Sequence, residues 1–112
     1  MLKVVFYLNK NNNLCGFQIT GHSGYGEYGS DIVCAAVSAL TINTVNSIKC
    51  FSSDIFNLEY EDEGGLMILT MDKESRDYPS AETLLLLQSL ELGLKNIQKD
   101  YNNNISISYK EV

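Results

Sequence analysis

The chain has 112 residues, with eight basic and fourteen acidic side chains and a formal charge of −6, which leaves room for one hydrophobic core but not two. The acidic balance disfavours direct contact with nucleic-acid phosphates and favours a basic protein partner. No uninterrupted apolar run approaches the roughly 18 residues that cross a bilayer, so no membrane partner is expected.

The opening run, Leu2 to Leu8, reads as a first strand. With one basic residue and no small-residue cleavage site, it does not have the pattern of a signal peptide, and a cytoplasmic address is the expectation. A second run, Leu14 to Thr20, follows the polar turn Asn9 to Asn13, and asparagine tolerates left-handed turn conformations, so the pair predicts an antiparallel hairpin. After a glycine-containing loop, Asp31 is the predicted N-cap of a long helix reaching about Phe51, with Val33, Ala36, Val37, Leu40 and Ile48 as its apolar stripe. Ile55 to Glu61 and Leu66 to Met71 flank an acidic glycine turn, which predicts a second hairpin. Pro79, the early Glu82 and the late Lys95 and Lys99 predict a helix over 79 to 101. Ile105 to Tyr109 alternates with period two and closes the order ββαββαβ. The expected fold class is α+β: two layers, with two long helices on an antiparallel or mixed sheet, and 1–112 as a single domain.

Three cysteines, Cys15, Cys34 and Cys50, form no C-x-x-C pair, and their odd number favours free thiols. Cys15 falls in a strand and Cys50 in a last helical turn, both read as structural. Cys34 is different. Under an Asp31 cap it is the third helical residue, where free N–H groups and the helix dipole favour an anion, while the neighbouring Asp31 carboxylate opposes one. On the helical wheel it shares a flank with Ser38, Thr41 and Val45 that could face a cleft. The competing reading is a small buried core residue.

His22, the only histidine, lies twelve positions before Cys34 in a loop carrying Gly21, Gly24, Gly26 and Gly29. An imidazole that reaches a thiol can take its proton and later protonate a leaving amine, which is the pairing a cysteine nucleophile needs. The competing reading of His22 is a loop residue with a satisfied ring. Tyr25 and Tyr28 are candidates to contact an extended peptide, or are loop anchors. The same loop spells G-x-G-x-x-G over 24–29, yet Lys stands at 49 where a dinucleotide site needs an acidic residue, and Glu27 and Asp31 would repel a pyrophosphate. One histidine and three scattered cysteines offer no metal-ligand spacing, and neither a cofactor nor a metal is expected.

Gly21-His22 followed by Asp31-Ile32-Val33-Cys34-Ala35-Ala36-Val37-Ser38 resembles the ribosomal-processing cysteine protease Prp family over the whole chain. Ser23 stands where that family more often has alanine, a change that leaves the two reactive residues in place. The resemblance implies a Cys-His endopeptidase of ribosome assembly that removes an N-terminal extension from large-subunit ribosomal protein twenty-seven, a basic substrate, cutting after an aromatic pair. It implies Cys34 as nucleophile, His22 as general base and acid, Gly21, Asp31 and Ser38 in supporting roles, and a homodimer. The backbone N–H of Cys34 is a candidate oxyanion donor from its helix-start position. A non-catalytic ribosome-assembly factor that binds the same basic protein is the alternative, and a nucleotide-binding module a third.

Overall fold

The protein is described here by a computed structural model covering residues 1–21, 31–61 and 65–112. Five strands, β1 (Leu2–Leu8), β2 (Leu14–Thr20), β3 (Phe56–Tyr60), β4 (Leu66–Met71) and β5 (Ile105–Glu111), form one sheet in the order β3-β4-β2-β1-β5. The β1–β2, β2–β4 and β3–β4 pairs are antiparallel, and β1–β5 is parallel, so the sheet is mixed. Helices α1 (Ile32–Phe51) and α3 (Ala81–Asp100) are the two long ones, and α2 (Lys73–Asp77) is a single short turn between β4 and α3.

Strand register puts Leu2, Val4 and Phe6 of β1, Phe17 and Ile19 of β2, Met67 and Leu69 of β4 and Ile105 of β5 in one core. Successive strand side chains alternate faces, so the opposite face carries Lys3, Gln18, Ser106 and Thr70. The core is closed by Val33, Val37, Val45 and Ile48 of α1 and by Leu87, Leu90 and Leu94 of α3. Burying each Leu, Val or Phe contributes about 1.5–3 kcal/mol, which fixes α1 against the sheet. By length and composition α1 could cross a membrane, yet its buried stripe lies in this core, the placement of a core helix.

That stripe differs from the expected one. Ala36 is exposed, and Thr41 and Thr44 are buried in its stead. Both threonines donate their hydroxyls back to their own helix, Thr41 to the Val37 carbonyl at 2.9 Å and Thr44 to the Leu40 carbonyl at 2.8 Å. A satisfied hydroxyl leaves the methyl group free to pack, so a polar residue type serves as core. Gly93 of α3 marks the crossing with α1, because a Cβ there would lie 3.0 Å from Leu40 Cδ1.

The helix predicted over 79–101 begins two residues later. Ser80 is the N-cap, its Oγ accepting from the Thr83 N–H at 3.2 Å, and Pro79 precedes it. Helix α2 was not expected from the sequence. Asp72 caps it through the Ser75 N–H at 2.9 Å, and the buried Ser75 hydroxyl accepts from the Ile55 N–H at 2.9 Å, tying α2 to the start of β3. The last strand runs on through Lys110 and Glu111, past the predicted end at Tyr109, because parallel pairing with β1 continues to Leu8.

Candidate active site

The topology gathers several chain ends at one end of the sheet. β2 and β3 finish there, β1 and β4 begin there, and α1 starts above them. Gly21, the first residue after β2, takes φ of 84°. A Cβ at that point would lie 2.6 Å from the Met1 carbonyl oxygen, so a side chain is excluded by conformation and by space together. Its N–H donates to the Gly65 carbonyl at 3.1 Å, which fixes where the chain leaves the sheet.

Ten residues on from Gly21, Asp31 holds the N-cap of α1 with extended backbone, φ −75° and ψ 96°. Its Oδ1 accepts the Cys34 N–H at 3.0 Å, and its carbonyl accepts the Ala35 N–H at 3.1 Å. The cap was predicted, and with it Cys34 as third helical residue. The hydrogen bond carries a consequence for catalysis. The Cys34 N–H, expected as the oxyanion donor, is already engaged by a carboxylate, so that expectation is not met in this arrangement.

Cys34 is partly buried and faces a cleft of about 110 Å³. Ser38, one turn on, and Thr41 line the same cleft from α1, while Gly21, Tyr60 and Met67 line it from the ends of the strands. Ligand pockets for whole small molecules are typically about 300–1,000 Å³, so this hollow takes a side chain or a short stretch of peptide. Glu61 stands at its edge, adding negative charge. Asp31 is not among the lining residues.

The structure thus brings Cys34, Ser38 and Thr41 together on one cleft, as the helical-wheel reading anticipated, while Val45 lies farther along α1, outside it. Gly21 joins them from the end of β2, and Asp31 holds the cap beside them. His22, Tyr25, Tyr28 and the G-x-G-x-x-G stretch lie outside the described residues. The strands flanking α1, β2 and β3, run in the same direction but are separated by β4, so they do not form the adjacent parallel pair of a dinucleotide fold. Among the described residues no three His, Cys, Asp or Glu side chains gather as a metal-ion site. Tyr60 and Met67 went unnoticed in the sequence as site residues. The one signal for Tyr60 was its place in the alternation Phe56, Leu58, Tyr60.

The other thiols are unlike Cys34. Cys15 is buried and donates to the Tyr7 carbonyl at 3.5 Å. Burial pushes its pKa up to about 11, with Arg76 lowering it and Asp77 raising it. Cys50 is exposed in the last turn of α1 and takes no part in the core, in contrast to the structural role expected for it.

A sequence model of the family described as cysteine protease Prp matches residues 1–106. A ribosomal processing cysteine protease Prp from Staphylococcus aureus is 34% identical over 110 residues, covering 98% of this chain and 100% of that protein. A crystal structure of the S. aureus protease with a covalently linked product peptide superposes with a TM-score of 0.88 at 33% identity, over 98% of this chain and 100% of that one. A second, with a substrate peptide, superposes with a TM-score of 0.81 at the same identity and coverage.

Proposed function

This chain belongs to the cysteine protease Prp family, and on that premise we propose that Cys34 is its nucleophile and His22 the general base and acid. The proposed substrate is large-subunit ribosomal protein twenty-seven, whose N-terminal extension is removed after an aromatic pair during ribosome assembly. The observation that carries this reading is the place of Cys34, at the first turn of α1 and open to a cleft shared with Gly21 and Ser38. His22 is the next residue after Gly21, whose conformation and hydrogen bond are fixed at the rim of that cleft.

The imidazole takes the thiol proton, and the thiolate sulfur attacks the scissile carbonyl carbon. Collapse of the tetrahedral intermediate breaks the C–N bond, leaves a thioester on Cys34 and passes the proton from imidazolium to the departing amine. Water, deprotonated by the same imidazole, then hydrolyses the thioester and restores the thiol. Asp31 holds the first turn of α1 in place, and Ser38 shapes the cleft one turn below the thiol.

The formal charge of −6 and the carboxylate of Glu61 at the cleft suit a basic ribosomal protein, attracting it and orienting its approach. Tyr25 and Tyr28 are proposed peptide contacts. The reading also takes 1–112 as a single protease domain acting in the cytoplasm as a homodimer. Neither a cofactor nor a metal enters this chemistry.

Mass spectrometry of a peptide spanning the extended N-terminus of that ribosomal protein, incubated with wild type and with Cys34→Ala, tests the proposal. Cleavage after the aromatic pair by wild type alone is the expected result. A peptide left intact by folded wild type would overturn it and favour a non-catalytic assembly factor.

A further inference from the structure

A longer surface feature continues from the Cys34 cleft. The cleft shares Tyr60 and Met67 with a second hollow of about 210 Å³, lined also by Ile42, Val45 and Leu58. That hollow in turn shares Val45 and Leu58 with a third, which ends at Lys49 and Asp54. Together they make one trench between α1 and the edge strand β3. Its walls follow from strand alternation, since Phe56, Leu58 and Tyr60 fall on the helix-facing side of β3. Leu58 and Tyr60 are 39% and 49% exposed, and Ile42 opposite them is 42% exposed. Such a run of uncovered apolar side chains beside a reactive cleft marks a surface that is covered in use.

The dimensions suit one kind of occupant. From Cys34 to Ile42 is eight residues of helix, about 12 Å, and to Lys49 fifteen, about 22 Å, at about 1.5 Å per residue. An extended chain advances about 3.3 Å per residue, so the trench spans about seven residues, and its middle hollow lies about four residues from the reactive sulfur. β3 forms the edge of the sheet, and an edge strand offers main-chain groups to an extended peptide laid beside it. Among the described residues the middle hollow is lined by aliphatic and aromatic side chains, with the Asn46 amide and the Tyr60 hydroxyl as their polar groups, a lining that favours an apolar residue.

Building on the protease reading above, we propose that this trench is the substrate track. The peptide runs along α1 beside β3, and an apolar side chain three to five residues from the scissile bond seats against Ile42, Leu58 and Tyr60. Selectivity is then set away from the scissile bond, by a hollow that a cut between the right two residues alone would not reveal.

The test uses the same ribosomal-protein peptide and a set of single alanine replacements from two to six residues on either side of the scissile bond. Values of kcat/KM are compared for wild type, Leu58→Ala and Ile42→Ala; both positions are partly exposed, so the core is left intact. In wild type, one apolar position three to five residues from the cut should lose about tenfold on replacement by alanine. Leu58→Ala and Ile42→Ala should each lose about tenfold on the parent peptide and almost nothing further on that replaced peptide, while Cys34 alkylates at the wild-type rate. Independent, multiplying losses at every position, or wild-type cleavage of the parent by both variants, would overturn the track while leaving the protease reading standing. A Leu58→Ala chain that sediments as monomer where wild type is a dimer would give the trench to a second copy and likewise overturn the proposal. A parent peptide that wild type leaves uncut would remove the protease reading and the track with it.

Discussion

At Cys34 two demands meet on one residue: the main chain must start a helix and the side chain must reach a cleft. Asp31 meets the first by accepting the Cys34 N–H at 3.0 Å, and the helical turn then turns the sulfur toward Ser38 and Thr41. If the role of Asp31 is to cap, Asp31→Ala should cost about 1 kcal/mol of stability and slow peptide cleavage, while Asp31→Ser should restore both. Melting temperature and cleavage rate measured together check this; cleavage that stays slow in a fully stable serine variant would contradict a capping role. The cap was legible in the sequence because a short polar side chain stood immediately before an apolar helical run. The fate of the Cys34 N–H was not, since whether that donor meets a capping carboxylate or stays open for an oxyanion depends on the Asp31 rotamer.

Among the elements, the junction of α1, β3 and α3 is held by polar side chains. Asp54 Oδ2 accepts from the Ser80 hydroxyl at 2.8 Å and from the Ser80 N–H at 3.0 Å, and Ser80 itself caps α3. Burial pushes the Asp54 carboxyl up, and hydrogen bonding from Thr83 and from the backbone and hydroxyl of Ser80 outweighs it, holding the group below its ordinary 3.8. A depressed value in the folded state means that the carboxylate stabilises the fold fully above the unfolded value of 3.8, and that this stability is lost as pH falls through the lower folded value. Asp54→Ala should therefore be about 1–2 kcal/mol less stable than wild type near neutral pH, and the gap should shrink as the pH drops below that point. Thermal melts of both chains across that range check the sign; a gap that stays constant to strong acid would contradict it. Element type and order were readable from periodicity, whereas Asp54 sits 26 residues from Ser80 and no local pattern announces their contact. The same holds for α1, where residue type pointed to Ala36 as core and the self-bonded Thr41 and Thr44 took the place.

For the whole molecule, the order of strands β3-β4-β2-β1-β5 does the assembling. It sets the end of β2, the end of β3 and the start of α1 side by side, so residues as distant as Gly21, Cys34 and Tyr60 share one cleft. Helical spacing was enough to put Cys34 and Ser38 on one flank and the family resemblance pointed to Gly21, but Tyr60 and Met67 depend on long-range pairing, Tyr60 with Met67 across β3 and β4. Folding also sorts the three thiols into distinct environments: Cys15 buried, Cys50 exposed and Cys34 partly buried in the cleft. That sorting supplies internal controls for the central claim, that Cys34 is a nucleophile served by His22. The decisive measurement is the alkylation rate of each thiol in the folded chain near neutral pH, read by peptide mapping for wild type and His22→Ala. The account predicts Cys34 fastest, ahead of the more exposed Cys50, with Cys15 protected by burial and a pKa near 11, and it predicts that His22→Ala slows Cys34 alone. A Cys34 that reacts more slowly than Cys50, or at the same rate with and without His22, would contradict it.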